Sequence, residues 1–111
     1  MTKQELIDLL DSLEISVSEG EASIAKMKVF PKIVFWESYW EDQPASGAVY
    51  QEIDTYQISF FAKVPRHEKL LELRDKLRKC GIMTSFSHEY AADKNLFHSF
   101  TAIEVTVANG G

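Results

Sequence analysis

A single cysteine, Cys80, is all the thiol chemistry this 111-residue chain possesses. One thiol excludes an intrachain disulfide and a thiolate-rich zinc site. Its place at the end of a predicted helix, just before Gly81, is one where a small buried apolar residue is expected. Long hydrophobic runs are missing too: none approaches the roughly 20 residues that a membrane-spanning helix needs. The opening MTKQELIDLLDSLEI is amphipathic and carries acids, which does not read as a secretory signal, so the expected setting is the cytoplasm. Basic excess is also absent, because 17 acids against 12 Lys and Arg leave a formal net charge of -5. A surface that holds DNA must be basic to displace counterions, so non-specific nucleic-acid binding is not expected. No phosphate-cradling glycine motif, nucleophile elbow or Cys–His pair occurs. Neither a catalytic, a cofactor nor a metal site is expected.

What remains is ordinary for one soluble domain spanning residues 1–111, with 45% hydrophobic and 26% charged residues. A chain of this size buries about 65% of its unfolded surface. Thr2 and Glu5 form a T-x-x-E capping box ahead of Leu6, Leu9, Leu10 and Leu13, which recur at helical spacing. Ile15 and Val17 then alternate like a short strand, and Glu19-Gly20 marks a turn; the stretch EASIAKMKVF reads as a helical turn or an irregular crossing. Residues 32–40 read as a strand that is apolar on both sides: Ile33, Phe35 and Tyr39 on one face, Val34, Trp36 and Trp40 on the other. The acidic segment EDQPASG is expected as a loop.

The next strand changes phase, since Val49 and Ile53 share one parity whereas Tyr56, Ile58 and Phe60 share the other. A β-bulge, or a change of packing environment, is expected near Asp54-Thr55. Thr55, Gln57 and Ser59 read as a solvated face with Phe61 as its exception. Pro65 fits the first position of a second helix, whose stripe is Leu70, Leu73, Leu77 and Cys80 and whose stop is Gly81. Two strands follow, residues 82–90 and 96–107, with Phe97, Ile103, Val105 and Val107 on one face of the last. The tail 108–111 has little to pack and is expected to fray. The order α-(β)-β-β-α-β-β predicts an α+β two-layer sandwich: a mainly four-stranded antiparallel sheet with two helices on one side.

Three groupings merit a chemical reading. His88 and His98 lie on adjacent predicted strands with Glu89 nearby, but no metal-ligand spacing joins them, and scattered strand histidines are usually polar surface. Glu37, Glu41, Asp42, Glu52 and Asp54 flank one loop without a histidine or lysine to separate their pKa values, so a solvated acidic rim is the better reading. The second helix interleaves Arg66, Lys69, Arg74, Lys76, Arg78 and Lys79 with acids, as a charged outer face does. The aromatics are left. Two helices cover one sheet face only, and Trp and Tyr are enriched where proteins meet. Trp36, Tyr39, Trp40, Glu41, Asp42 and Tyr50 are therefore the candidate protein interface.

The strand FPKIVFWES, the segment VYQEIDTYQISFFAK, the helix HEKLLELRDKLRKCGI and the closing LFHSFTAIEV together resemble the tail-completion (tail terminator, or head–tail joining) proteins of long-tailed bacteriophages and prophages. Pro31, Ile33, Val34 and Phe35, then Tyr50, Ile53, Tyr56, Ile58 and Phe61, then Gly81-Ile82 occupy the slots of that pattern. The likeness covers about residues 30–107 and departs at Trp36 and Trp40 and in a loop without an asparagine-rich run. The resemblance implies a non-enzymatic homo-oligomer, a hexameric ring that caps the tail tube. Its partners would be the major tail tube protein and the head-connector protein, with DNA passing through the lumen without specific binding and no membrane involved. Its place would be the host cytoplasm during assembly and then the tail or neck of the virion. A small ligand-binding or regulatory α+β module is the alternative, and it calls for a concave apolar pocket with a few convergent polar groups. A hydrolase built on the histidines and acids has the least support.

Overall fold

The computed structural model describes residues 1–20, 28–44 and 50–106, with the side chains of Tyr50 and Gln51 also outside the description. The elements are α1 (Lys3–Asp11), β1 (Ser16–Glu19), β2 (Lys32–Pro44), β3 (Tyr50–Ala62), α2 (Glu68–Lys79), β4 (Ser87–Ala91) and β5 (Leu96–Thr106). They follow the expected α+β order. The sheet has five described strands rather than four, in the order β1-β2-β3-β5-β4. It is mixed: β1 runs parallel to β2, and the other pairings are antiparallel. A parallel neighbour across a long connection leaves no turn signature, so Ile15 and Val17 showed a strand without its partner.

α1 starts as its capping box dictates. The Thr2 hydroxyl accepts from the Glu5 N–H at 3.2 Å, and Glu5 Oε1 accepts from the Thr2 N–H at 3.4 Å. Lys3 pairs with Glu19 at 3.0 Å, tying the start of the helix to the end of β1. α2 begins three residues later than Pro65 suggested. Its cap is His67, whose Nδ1 accepts from the Lys69 N–H at 3.0 Å, whereas Arg66 holds a left-handed φ of 49° that breaks the helix before it. At the other end the Ile82 N–H reaches the Leu77 carbonyl (3.0 Å) and the Gly81 N–H reaches that of Arg78 (2.9 Å). This is a Schellman closure, with Gly81 at φ 80° where a side chain would be strained. Cys80 is consequently not core. As the C-cap it lies where the chain leaves the helix, and it is exposed.

Leu6, Leu10 and Leu13 from one helix and Leu70, Leu73 and Leu77 from the other pack with Ile33, Phe35, Tyr56, Ile58, Phe60, Ile103 and Val105 into one core. The cross-strand pairs Ile33↔Phe60 and Phe35↔Ile58 lie on the same face as Tyr56↔Ile103, so both helices cover that face. On the opposite, open face Ser59 is fully buried, against the solvated reading, because its cross-strand neighbours are Val34 and Phe100. Residues 82–86 are not strand, and β4 begins only at Ser87. The Ala45–Val49 part of the turn, the EASIAKM stretch, Val107 and the tail 108–111 lie outside the described residues. Among the described residues no helix is long and apolar enough to cross a membrane.

Candidate functional site

β2 and β3 are each 13 residues long, but β1 pairs with β2 only from Lys32 to Phe35, and β5 pairs with β3 only from Ile53 to Ala62. From Trp36 to Glu41 β2 is the outer strand of a β2–β3–β5 stretch, and only residues 42–44 and 50–52 pair with each other alone; residues 36–44 and 50–54 form the distal arm of the sheet. The molecule is elongated, 53 × 29 × 23 Å with a radius of gyration of 15.4 Å. A compact domain of this length would have a radius of about 13 Å. Glu41, Asp42, Gln43 and Pro44 pair with Ile53, Glu52, Gln51 and Tyr50, so the acidic segment expected as a loop is strand. From Trp36 to Pro44 the outer edge of β2 has no described partner strand, which leaves backbone donors and acceptors open for pairing.

The irregularity expected near Asp54-Thr55 lies in the β2–β3 pairing, and its extra residue is in β2. The register slips between Glu37 and Tyr39, where the Ser38 hydroxyl donates to the Thr55 carbonyl at 3.1 Å. β3 itself alternates without a break. One extra residue reverses every side chain after it. Tyr39 thus joins Trp36 on the open face, opposite Thr55, while Trp40 sits opposite Asp54 on the face that the helices cover further along. This inverts the facing expected from alternation.

The arm brings most of the candidate interface together. Trp40 is 67% exposed and Tyr39 60%, Trp36 is half-buried, and Glu41 and Asp42 are exposed. Tyr50 opens β3 opposite Pro44, with its side chain outside the described residues. Residues 33–62 hold five acids (Glu37, Glu41, Asp42, Glu52, Asp54) and no Lys or Arg, a deficit equal to the formal net charge of the whole chain. Asp42 lies directly opposite Glu52, a like-charge pair that disfavours the isolated ribbon. Asp54 is 7% exposed, and its Oδ1 is enclosed with no hydrogen-bond partner. An enclosed carboxylate oxygen without a hydrogen-bond partner is costly in a lone subunit.

The histidine grouping does not assemble. His88 Nδ1 meets Ser99 Oγ at 2.7 Å on the helix-covered face, whereas His98 lies on the open face. His98 is stacked on Phe61 with ring centres 4.4 Å apart, and its Nδ1 is 3.5 Å from Glu89. Burial holds the His98 imidazole below its ordinary value of 6.5, with the Glu89 carboxylate pulling the other way. A histidine that is harder to protonate folded than unfolded stabilises the fold above about pH 6.5, and that contribution is lost as pH falls through the lower folded value. His98→Phe should keep the aromatic ladder and flatten the loss of stability between about pH 7 and about pH 5. Denaturant unfolding at both pH values checks this; parallel curves for the two proteins would contradict it.

One cavity went unnoticed in the sequence. About 340 Å³ lies between the start of α2 and the β3–β5–β4 end of the sheet. Phe60, Ala62 and Phe97 line it from the sheet, Val64, Pro65 and Leu70 from the turn and helix, and Arg66, His88, Glu89, Tyr90 and Ser99 supply its polar groups. No described carboxylate lies within ion-pair distance of Arg66. The turn Val64-Pro65-Arg66, exposed throughout, was the available signal, since apolar residues before a helix cap are ordinarily folded under it. Compared with known proteins, the chain matches no protein-family model and no curated protein.

Proposed function

We propose that this chain is a structural subunit of a bacteriophage or prophage virion. It caps the finished tail tube as a hexameric ring, joins the tail to the head connector, and lets DNA pass through its lumen. It performs no catalysis. It works in the host cytoplasm during assembly and ends in the tail or neck of the particle. The observation that supports the reading is the distal β2–β3 arm, where the two most exposed aromatics of the described residues, Trp40 and Tyr39, lie on a strand edge with no described partner. Aromatics of this kind dominate association energies when they are covered by a partner. The sequence likeness to tail-completion proteins names the partner class, and the acidic arm suits a passage that must not retain DNA.

The cavity favours a second reading, a small ligand-binding module, because its volume is at the lower end of what ligand pockets occupy, about 300–1,000 Å³. Light scattering with the major tail tube protein from the same genome separates the two. A ring-sized mass on the tubes, lost when Trp40 and Asp42 are both replaced by alanine, is the expected outcome.

A further inference from the structure

The arm and the cavity sit at opposite ends of β3. Asp42 pairs with Glu52, ten residues before Ala62 at the cavity. At about 3.3 Å per strand residue the two are some 30 Å apart, so no subunit can fill its own cavity with its own arm. Their chemistry is complementary. Trp40 is the most exposed aromatic of the described chain, and the cavity is apolar and of a size for one large side chain rather than an extended peptide. The bulge at Ser38 turns Trp40 and Asp42 onto the face of the ribbon that, along β3, is also the cavity's face. The arm is acidic without a single base, while the cavity's rim carries Arg66 with no described carboxylate within ion-pair distance. Glu89, the one acid at the cavity, is engaged with His98.

We propose that the occupant of this cavity is the arm of a second copy of the chain, with the Trp40 indole inserted beneath the α2 cap and Asp42 facing Arg66. The inference rests on the ring reading and specifies its contact. Because the two surfaces differ and lie at opposite poles, the contact is head-to-tail. Such contacts either close into a ring or grow into a filament, according to the rotation between neighbours.

The test uses the full chain with Cys80→Ser, so that no native thiol interferes. Asp42→Cys and Arg66→Cys in one chain cannot meet within a subunit, and under mild oxidation they should yield a ladder of covalent oligomers that stops at the ring size. Adding Trp40→Ala should abolish the ladder and weaken association of the otherwise native chain by about 30-fold or more. Arg66→Glu should weaken association, and Asp42→Arg in the same chain should restore part of it. Disulfides formed by the Asp42→Cys chain alone, in preference to mixtures with the Arg66→Cys chain, would mean that arms meet arms and overturn the proposal. A ring-sized mass without the ladder, indifferent to Trp40→Ala, would overturn this contact while leaving the ring in place; a cavity used for a small ligand gives this result. A monomer at every concentration, with and without tail tube protein, would overturn contact and ring together.

Discussion

Phe60→Ala is expected to remove about 3–5 kcal/mol of stability, the largest effect of any single substitution considered for this chain. Phe60 is 1% exposed and is flanked in the sheet by Ile33 and Ser99. It also lies 5.9 Å, ring to ring, from the His67 cap of α2. Truncation leaves a void where strand and helix layers meet, and neither layer can collapse into it without breaking the ladder. A domain of this size is held by only about 5–15 kcal/mol in total, so Tm should fall by on the order of 15–25 °C. Phe61, one residue on, points to the open face and stacks on His98. Its replacement by alanine should cost less than half as much, because it is only half-buried. Thermal unfolding of both variants checks the register. Equal losses would mean that the helices do not cover the face assigned to them.

Asp54→Val should act in the other direction and stabilise the isolated chain by about 1–2 kcal/mol. The substitution removes an enclosed oxygen that has no hydrogen-bond partner, and it places a β-branched residue in a strand interior. The same change should impair association, since Asp54 lies opposite Trp40 at the root of the arm. Stability raised and assembly lost is the pattern of a residue kept for binding rather than for folding. Denaturant titration measures the first effect and sedimentation the second. A loss of stability above about 1 kcal/mol would mean that the carboxylate has a compensating partner within the subunit.

Much of the fold was legible because local rules and the tertiary structure agree. The capping box at Thr2 and Glu5, the leucine stripes of both helices and the stop at Gly81 all reappear as geometry. The features that did not read through depend on long-range pairing. Alternation assigns faces only while the period is constant, and Ser38, a small polar residue with no signature of its own, interrupts it. β3 keeps its register with β5 through Asp54, and the extra residue is in β2. The stretch from Glu41 to Pro44 has the composition of a turn and is held in strand by Tyr50–Ile53 across the ribbon. Cys80 continued the helical stripe on paper, yet the Schellman closure ends the helix one position before that stripe could be buried.

Of the candidate site, the exposed strand residues were legible and the cavity was not. Trp40, Tyr39, Glu41 and Asp42 were read as candidate interface residues, and the structure leaves all four exposed. The cavity was not visible, because Ala62, Arg66, His88 and Phe97 come from four separate segments that only the β3–β5–β4 order brings together. The two histidines failed as a pair for a related reason. Directly opposed residues share a face, and the register pairs His88 with Ser99 and His98 with Glu89, which puts the imidazoles on opposite sides.

The most direct measurement is the light-scattering mass of the chain at high concentration, alone and with the major tail tube protein of the same genome. A ring-sized species that forms on the tubes, and that the Trp40→Ala, Asp42→Ala double variant fails to form, is the expected result. A native chain that stays monomeric in both settings would contradict the assignment to a tail-capping ring.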